Sequence, residues 1–151
     1  IGLTTKKQTQ GLVTTILNRG RHTIGHIFQR GVILNRSTLV FNGIGKIIKG
    51  AKGSDAQQES RVLMLSRRAR GDANPLLLID ENDVTAGHAA SVGRVDENQM
   101  YYLMSRGISE QVARKLVIRG FMGEVLAKMP TKAAQRQVVE EIERKLRHED
   151  D

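Results

Sequence analysis

The sequence predicts a mainly β fold that ends in a small helical module, and three observations predict it. Residues 1 to 95 break into short runs rich in Val, Ile, Leu and Thr, punctuated by Gly and Asn. No segment before Asp96 carries a helical period, which argues against βαβ crossovers. From Asp96 onward, apolar residues recur at helical spacing behind recognisable caps.

The strand-like runs are Leu12–Leu17, Thr23–Phe28, Val32–Leu34, Thr38–Phe41, Ile44–Ile48, Arg61–Leu65, Leu76–Ile79 and Val84–Thr85. Corners are expected at Asn18-Arg19-Gly20, Gln29-Arg30-Gly31, Asn35-Arg36, Asn42-Gly43 and Lys49-Gly50, because Gly and Asn accept positive φ. Gly50–Ser60 reads as a polar loop and Ser66–Asn74 as a basic one. Short strands with tight corners fit a sandwich, a barrel or a coiled parallel stack. Consecutive apolar positions (Val32-Ile33-Leu34, Leu76-Leu77-Leu78-Ile79) favour the stack over a two-faced sandwich. No strict repeat is visible.

Three helices follow, over about 97–106, 110–128 and 132–147. Asp96 with Gln99 forms a capping-box pattern, Gly107 suits the C′ position, and Ser109 and Thr131 cap the second and third helices. Val112, Leu116, Val125 and Leu126 are expected on one face of the second helix, broadened by Val117 and Phe121, with Gly120 and Gly123 allowing a close backbone approach. In the third, Ala134, Val138, Ile142 and Leu146 recur every four residues. The acidic tail Glu149-Asp150-Asp151 opposes the helix dipole and is expected to fray. The division expected is 1–95 for the β body and 96–151 for the helices.

Composition narrows the chemistry. The chain has 151 residues and a formal charge of +8. Residues 1–71 hold 13 Lys/Arg against 2 Asp/Glu, whereas residues 72–96 hold 1 against 5. The positive half reads as a solvated surface, or as a face for an acidic protein, ahead of a nucleic-acid surface, because aromatic content is only 3%. There is no cysteine, which removes disulfides, thiolate nucleophiles and thiolate metal ligands from this chain. No apolar run is long enough to cross a membrane, so a cytoplasmic protein is expected. The start at Ile1 suggests a piece of a longer polypeptide, whose first strand offers an edge for self-association.

Three chemical readings compete. The first two helices resemble a DNA-binding helix–turn–helix, with Arg114, Lys115 and Arg119 facing phosphates, but the second helix has few side chains suited to base edges. Asp72, Asp80, Glu81 and Asp83 form a carboxylate cluster that a polysaccharide-cleaving β-stack would use, or simply solvated turn residues. His22 and His26 lack a third metal ligand nearby. His88 differs, because Gly87-His88-Ala89-Ala90-Ser91-Val92-Gly93 surrounds the ring with small residues that leave room for another chain or an ion. A corner histidine bonded to backbone is the plainer alternative.

The stretch Asp83-Val84-Thr85-Ala86-Gly87-His88-Ala89-Ala90-Ser91-Val92-Gly93, then Asp96-Glu97, then Tyr102-Leu103-Met104-Ser105-Arg106-Gly107-Ile108, resembles the SufB/SufD family of iron–sulfur cluster assembly proteins. Phe41-Asn42-Gly43 and Leu63-Met64-Leu65-Ser66 extend the resemblance upstream, over roughly residues 20–128. It implies a right-handed, single-stranded parallel β-helix followed by a helical domain. It further implies a non-catalytic scaffold that pairs with a SufB-like paralogue through the β-helix and docks a SufC-like ATPase through the helices. By position, His88 matches the histidine that SufD contributes to the cluster assembly site, with Gly87, Gly93 and Gly107 as motif glycines. No cofactor is expected on this chain alone, only a transient iron–sulfur cluster or iron at the subunit seam. The lack of cysteine favours the SufD side of the family, and Ala86 stands where many members carry a cysteine. For ATPase docking, helical exposure and residue type point to Tyr101, Tyr102, Arg106, Arg114 and Phe121.

Overall fold

The computed structural model describes residues 1–147; the expected fraying of the acidic tail lies outside the described residues. Seven strands are β1 (Gly2–Thr4), β2 (Thr9–Asn18), β3 (Ile24–Ile33), β4 (Thr38–Ile47), β5 (Ser54–Met64), β6 (Arg70–Ile79) and β7 (Val84–Arg94). They form two wholly parallel sheets, β1-β3-β5-β7 and β2-β4-β6. Each sheet takes alternate strands, so the chain coils through about three turns of a parallel β-helix.

Between the sheets lies the core of the β-helix, apolar at one end and in part polar beyond it. Strand β4 alternates strictly, with Leu39, Phe41, Gly43, Gly45 and Ile47 inward. Leu39 and Phe41 meet Ile33, Val62 and Ala69, while Ile47, Ala51 and Ala56 form a smaller cluster towards the other corner. Gly31 faces this core because a Cβ there would stand 2.5 Å from Leu39 Cδ2 and 2.8 Å from Phe41 Cε2. It serves close packing, not a turn.

The strands are longer than the sequence suggested. Gln29-Arg30-Gly31 and Asn42-Gly43 run through the middle of β3 and β4 instead of turning. Most of the supposed polar loop 50–60 is strand β5, whose Ser54, Ala56, Gln58 and Ser60 point inward. Similarly, Arg70–Asn74 begins β6. True corners fall at Asn18–Thr23, Asn35-Arg36 and Lys49-Gly50, with positive φ at His22, Asn35 and Gly50. The Asn35 side-chain oxygen ties neighbouring turns together by accepting from Thr5 Oγ1 and the Lys6 N–H, both at 2.8 Å.

Three helices follow: α1 (Glu97–Ser105), α2 (Glu110–Ala127) and α3 (Lys132–Arg147). Asp96 caps α1 through the Asn98 N–H, Ser109 caps α2 through Val112, and Thr131 accepts from the Ala134 N–H. Gly107, at φ +84°, takes the left-handed position after α1. The buried face of α2 is Ala113, Ile118, Met122 and Leu126; Val112 and Leu116 are turned to solvent, contrary to the expected phase. Nothing lies within 4 Å of a Cβ at Gly120 or Gly123, so neither marks a close approach. In α3, Ile142 and Leu146 are buried and Val138 packs beside them, as the four-residue recurrence predicts.

Helices α2 and α3 cover the outer face of the first sheet. Leu3, Val32, Leu34 and Leu65 share one apolar cluster with Ile118, Met122, Leu126, Ile142 and Leu146. An ionic contact reinforces it. Arg30, 1% exposed on β3, reaches Glu59 of β5 and Glu124 of α2, the latter at 2.6 Å. Lys128 sits 3.4 Å above the Phe28 ring, and Lys145 donates to the Leu3 carbonyl at 2.8 Å. No helix among the described residues is long and apolar enough to cross a membrane.

Candidate functional site

Strand β7 is the last strand of its sheet, and its far edge carries no partner strand among the described residues. Register with β5 decides which way its side chains point, since in-register neighbours share a face. Val84 and Ala86 pack on the inner cluster, and Val92 faces Gly71 across the gap. His88 and Ala90 share that parity. His88 therefore lies on the inner face of the open terminal coil, in register with Gln58, and it is exposed. The outer face of the same strand is Thr85, Gly87, Ala89, Ser91 and Gly93, where a Cβ on Gly87 would stand 2.7 Å from Gln57 Oε1 and one on Gly93 would meet nothing. Small residues on both sides leave the imidazole approachable.

Above His88 the β-helix interior is polar. Gln58, 4% exposed, donates from Nε2 to the Leu76 carbonyl at 2.8 Å, while its Oε1 is buried without a partner. Its carboxamide occupies the hollow left by Gly43 and Gly45, whose Cβ atoms would come within 2.8 and 2.7 Å of it. Ser60 donates to Gln29 Oε1 at 2.7 Å, and Gln29 Nε2 donates to Thr14 at 3.1 Å. The chemistry-poor look of loop 50–60 hid this row, because its inward residues are polar or small.

Exposed apolar side chains flank this edge on both faces: Ile79 of β6 and Val92 of β7 share the inward parity of His88, while Leu76 and Leu78 lie on the outer face of the second sheet. An eleven-residue edge strand without proline, flanked by such side chains, is suited to pairing with another chain.

The α1–α2 hairpin presents a second surface. Tyr101 is 74% exposed and Tyr102 55%, with Met104, Val112 and Leu116 also exposed. The Arg106 guanidinium lies 4.5 Å from the Tyr102 ring centroid, which holds both side chains in place. Arg114 forks onto Glu110 Oε1 at 2.8 and 3.1 Å. Phe121 differs from these: it is half-buried and packs against the α2–α3 cluster. The buried face of α2 is spent on the β-helix, and Arg114 and Arg119 are engaged by Glu110 and Glu143.

His22, His26, Asp55 and Glu81 have local duties. His22 turns a corner, its N–H on the Lys52 carbonyl and its ring over Gly53. His26 Nε2 meets Asp55 Oδ2 at 3.1 Å on the sheet's outer face, and hydrogen bonds from Gln57 and His26 hold the Asp55 carboxyl below its usual range. Glu81 accepts from the Gly50 N–H at 2.9 Å, which lowers its pKa. No three metal-ligating side chains come together among the described residues.

Known proteins carry the same pattern. The family described as "SUF system FeS cluster assembly, SufBD core domain" matches residues 1–121. The chain is 55% identical to the iron-sulfur cluster assembly protein SufD of Bacillus subtilis (strain 168), over 93% of this chain and 32% of that protein. It is 34% identical to an iron-sulfur cluster assembly SufBD family protein of Mycobacterium leprae, over 84% of this chain and 15% of that protein. A SufBD family protein of Mycobacterium tuberculosis is 42% identical over 64% of this chain and 24% of its own length. The chain thus spans a third or less of these relatives. A parallel β-helix whose open coil carries His88, matched along most of its length, makes this chain a member of the SufBD core family of iron–sulfur cluster assembly proteins, most like SufD.

Proposed function

We propose that this chain is a non-catalytic scaffold in iron–sulfur cluster assembly, in which β6 and β7 pair with a SufB-like paralogue and His88 offers a ligand at the seam. The observation that carries the proposal is the exposed imidazole on an open edge strand among small residues. Iron or a nascent cluster is the cargo here. With His88 at the seam and no cysteine among its 151 residues, this chain offers one borderline ligand there, and the thiolates a cluster requires come from the partner.

In the same reading, the α1–α2 hairpin docks a SufC-like ATPase. Tyr101, Tyr102, Arg106 and Arg114 supply the aromatic and guanidinium contacts, with Phe121 supporting the hairpin from beneath. The fused apolar cluster of α2, α3 and the first sheet supports transmission of a motor's displacement to the strands. Neither nucleic acid nor a membrane is a partner in this account.

Co-purification with SufB- and SufC-like subunits tests the proposal. With His88→Ala the complex is expected to persist while cluster formation falls; loss of the complex would make His88 structural. Unchanged affinity for the ATPase after Tyr102→Ala or Arg106→Ala would refute the docking surface.

A further inference from the structure

The coil brings together cations that are scattered in the sequence. At the corner joining β1 to β2, β3 to β4 and β5 to β6, the register places Lys7 over Arg36 and Arg36 over the Arg67-Arg68 pair. The Arg36 N–H bonds to the Lys6 carbonyl at 3.0 Å and the Arg70 N–H to the Ser37 carbonyl at 3.1 Å, which locks the three turns into a column. Lys6, Lys7, Arg36, Arg67, Arg68 and Arg70 are all exposed along it. Successive turns are about 4.8 Å apart, the ordinary spacing of strands in a sheet. Among the described residues, the acid that meets this column is Glu97, 3.2 Å from Arg67.

The opposite corner is a built-in comparison. It stacks Arg19 and Arg21 over Lys49 and Lys52, but its next turn is Asp80, Glu81 and Asp83, which nearly balance them. Glu81 binds the Gly50 N–H and feels Lys52. One edge of the β-helix nearly neutralises itself; the other holds like charges at close spacing, offset among the described residues by Glu97 at Arg67 alone. That arrangement costs the free chain some folding energy, which an acidic partner would relieve on binding.

We infer that the Lys7–Arg36–Arg68 edge is a docking ridge for an acidic polypeptide segment. A groove of about 590 Å³ runs beside the ridge between the Ser66-Arg67 turn and α1, floored by Leu65, Val95, Met100 and Met104. It suits apolar residues interleaved with the acids. The neighbouring Glu97 and Glu110, held by Arg67 and Arg114, interrupt the positive surface beside the groove, which suits a segment that interleaves acids with apolar residues better than an unbroken phosphate backbone. No aromatic side chain sits on the ridge itself to stack bases. Tyr101 and Arg114 line both this groove and the proposed ATPase-docking surface, but Lys7, Arg36 and Arg68 lie outside that surface and away from the β6–β7 edge, so the inference, which rests on those three, stands whether or not the scaffold reading does.

The test is fluorescence anisotropy on the full chain with two probes: a glutamate-rich helical peptide bearing leucines on one face, and a duplex DNA of matched charge. The chain is expected to bind the peptide more tightly than the DNA, with affinity that weakens as salt rises. Lys7→Glu, Arg36→Glu and Arg68→Glu together are expected to weaken peptide binding by roughly tenfold or more, and the neutral Gln set by less. Arg19→Glu, Arg21→Glu and Lys49→Glu, an equal change in net charge, are expected to leave it within about twofold. Circular dichroism melts verify that each variant is folded. Equal losses from both edges would overturn the inference, as would tighter binding of DNA that depends on the same three residues.

Discussion

Replacing Arg30 with alanine probes how the helices are held on the β-helix. The guanidinium is almost completely buried and reaches Glu59, Glu124 and the Gln29 carbonyl. Breaking a buried ion pair from one side costs about 3–5 kcal/mol when the abandoned charge stays buried. Here the abandoned carboxylates do not stay buried, since Glu59 keeps Arg61 at 2.9 Å and Glu124 is half exposed beside Lys128. The expected loss is therefore at the low end, about 3 kcal/mol, of which about 1.6 kcal/mol is the packing of two buried methylenes. Arg30→Met retains that packing and should cost about 1–2 kcal/mol. At about 2–4 °C per kcal/mol for a chain of this size, the alanine variant should melt roughly 6–12 °C lower by circular dichroism. Equal losses for alanine and methionine, or an alanine variant within about 0.5 kcal/mol of the parent, would refute this ionic account.

Other perturbations follow from the same packing. Met122→Ala, at a site with no exposed surface in the α2–α3 cluster, should cost about 2–4 kcal/mol in urea unfolding, with m unchanged. Gly31→Val should cost more than Gly93→Val in the same assay, because only the former drives new atoms into Leu39 and Phe41. Asp55, Glu81, Glu124 and Glu141 all have lowered folded-state pKa values, caused first by hydrogen bonds from Gln57, the Gly50 N–H, Arg30 and Arg144 respectively. Depressed carboxylates contribute stability that is complete above their unfolded values, near about 4, and lost as pH falls through the folded ones. Urea midpoints should hold from neutrality to mildly acidic pH and then drop, and Glu81→Gln should make the drop shallower; an unchanged midpoint down through that range would contradict the assignment.

Much of the fold could be read from residue types, and the failures have specific causes. Asp96, Gly107, Ser109 and Thr131 marked the helix ends because caps are local chemistry. Strands β3 and β4 were cut in two because Gly31 and Gly43 resemble turn residues, whereas each makes room for a side chain from the facing sheet. The first half of β5 reads as a loop because its buried positions include Ser54, Gln58 and Ser60, polar groups whose hydrogen bonds go to partners distant in sequence, whereas Arg61–Met64 reads as strand. The phase of α2 was misjudged because Val112 and Leu116 are apolar yet exposed on the proposed docking face. His88 stood out through its small neighbours, but its inward parity needed the register with Gln58. The stacked cations were invisible for a related reason: successive turns differ in length, as Gly2 with Gly31 and Ile24 with Asp55 illustrate, so no fixed repeat aligned them.

Hydrogen exchange across Val84–Arg94, with and without a SufB-like subunit, bears most directly on the proposed seam. Amides on the unpaired side of β7 should exchange readily in the isolated chain and gain protection at alternate positions around His88 once the subunit binds. A stable complex that leaves those amides as fast as before would contradict it.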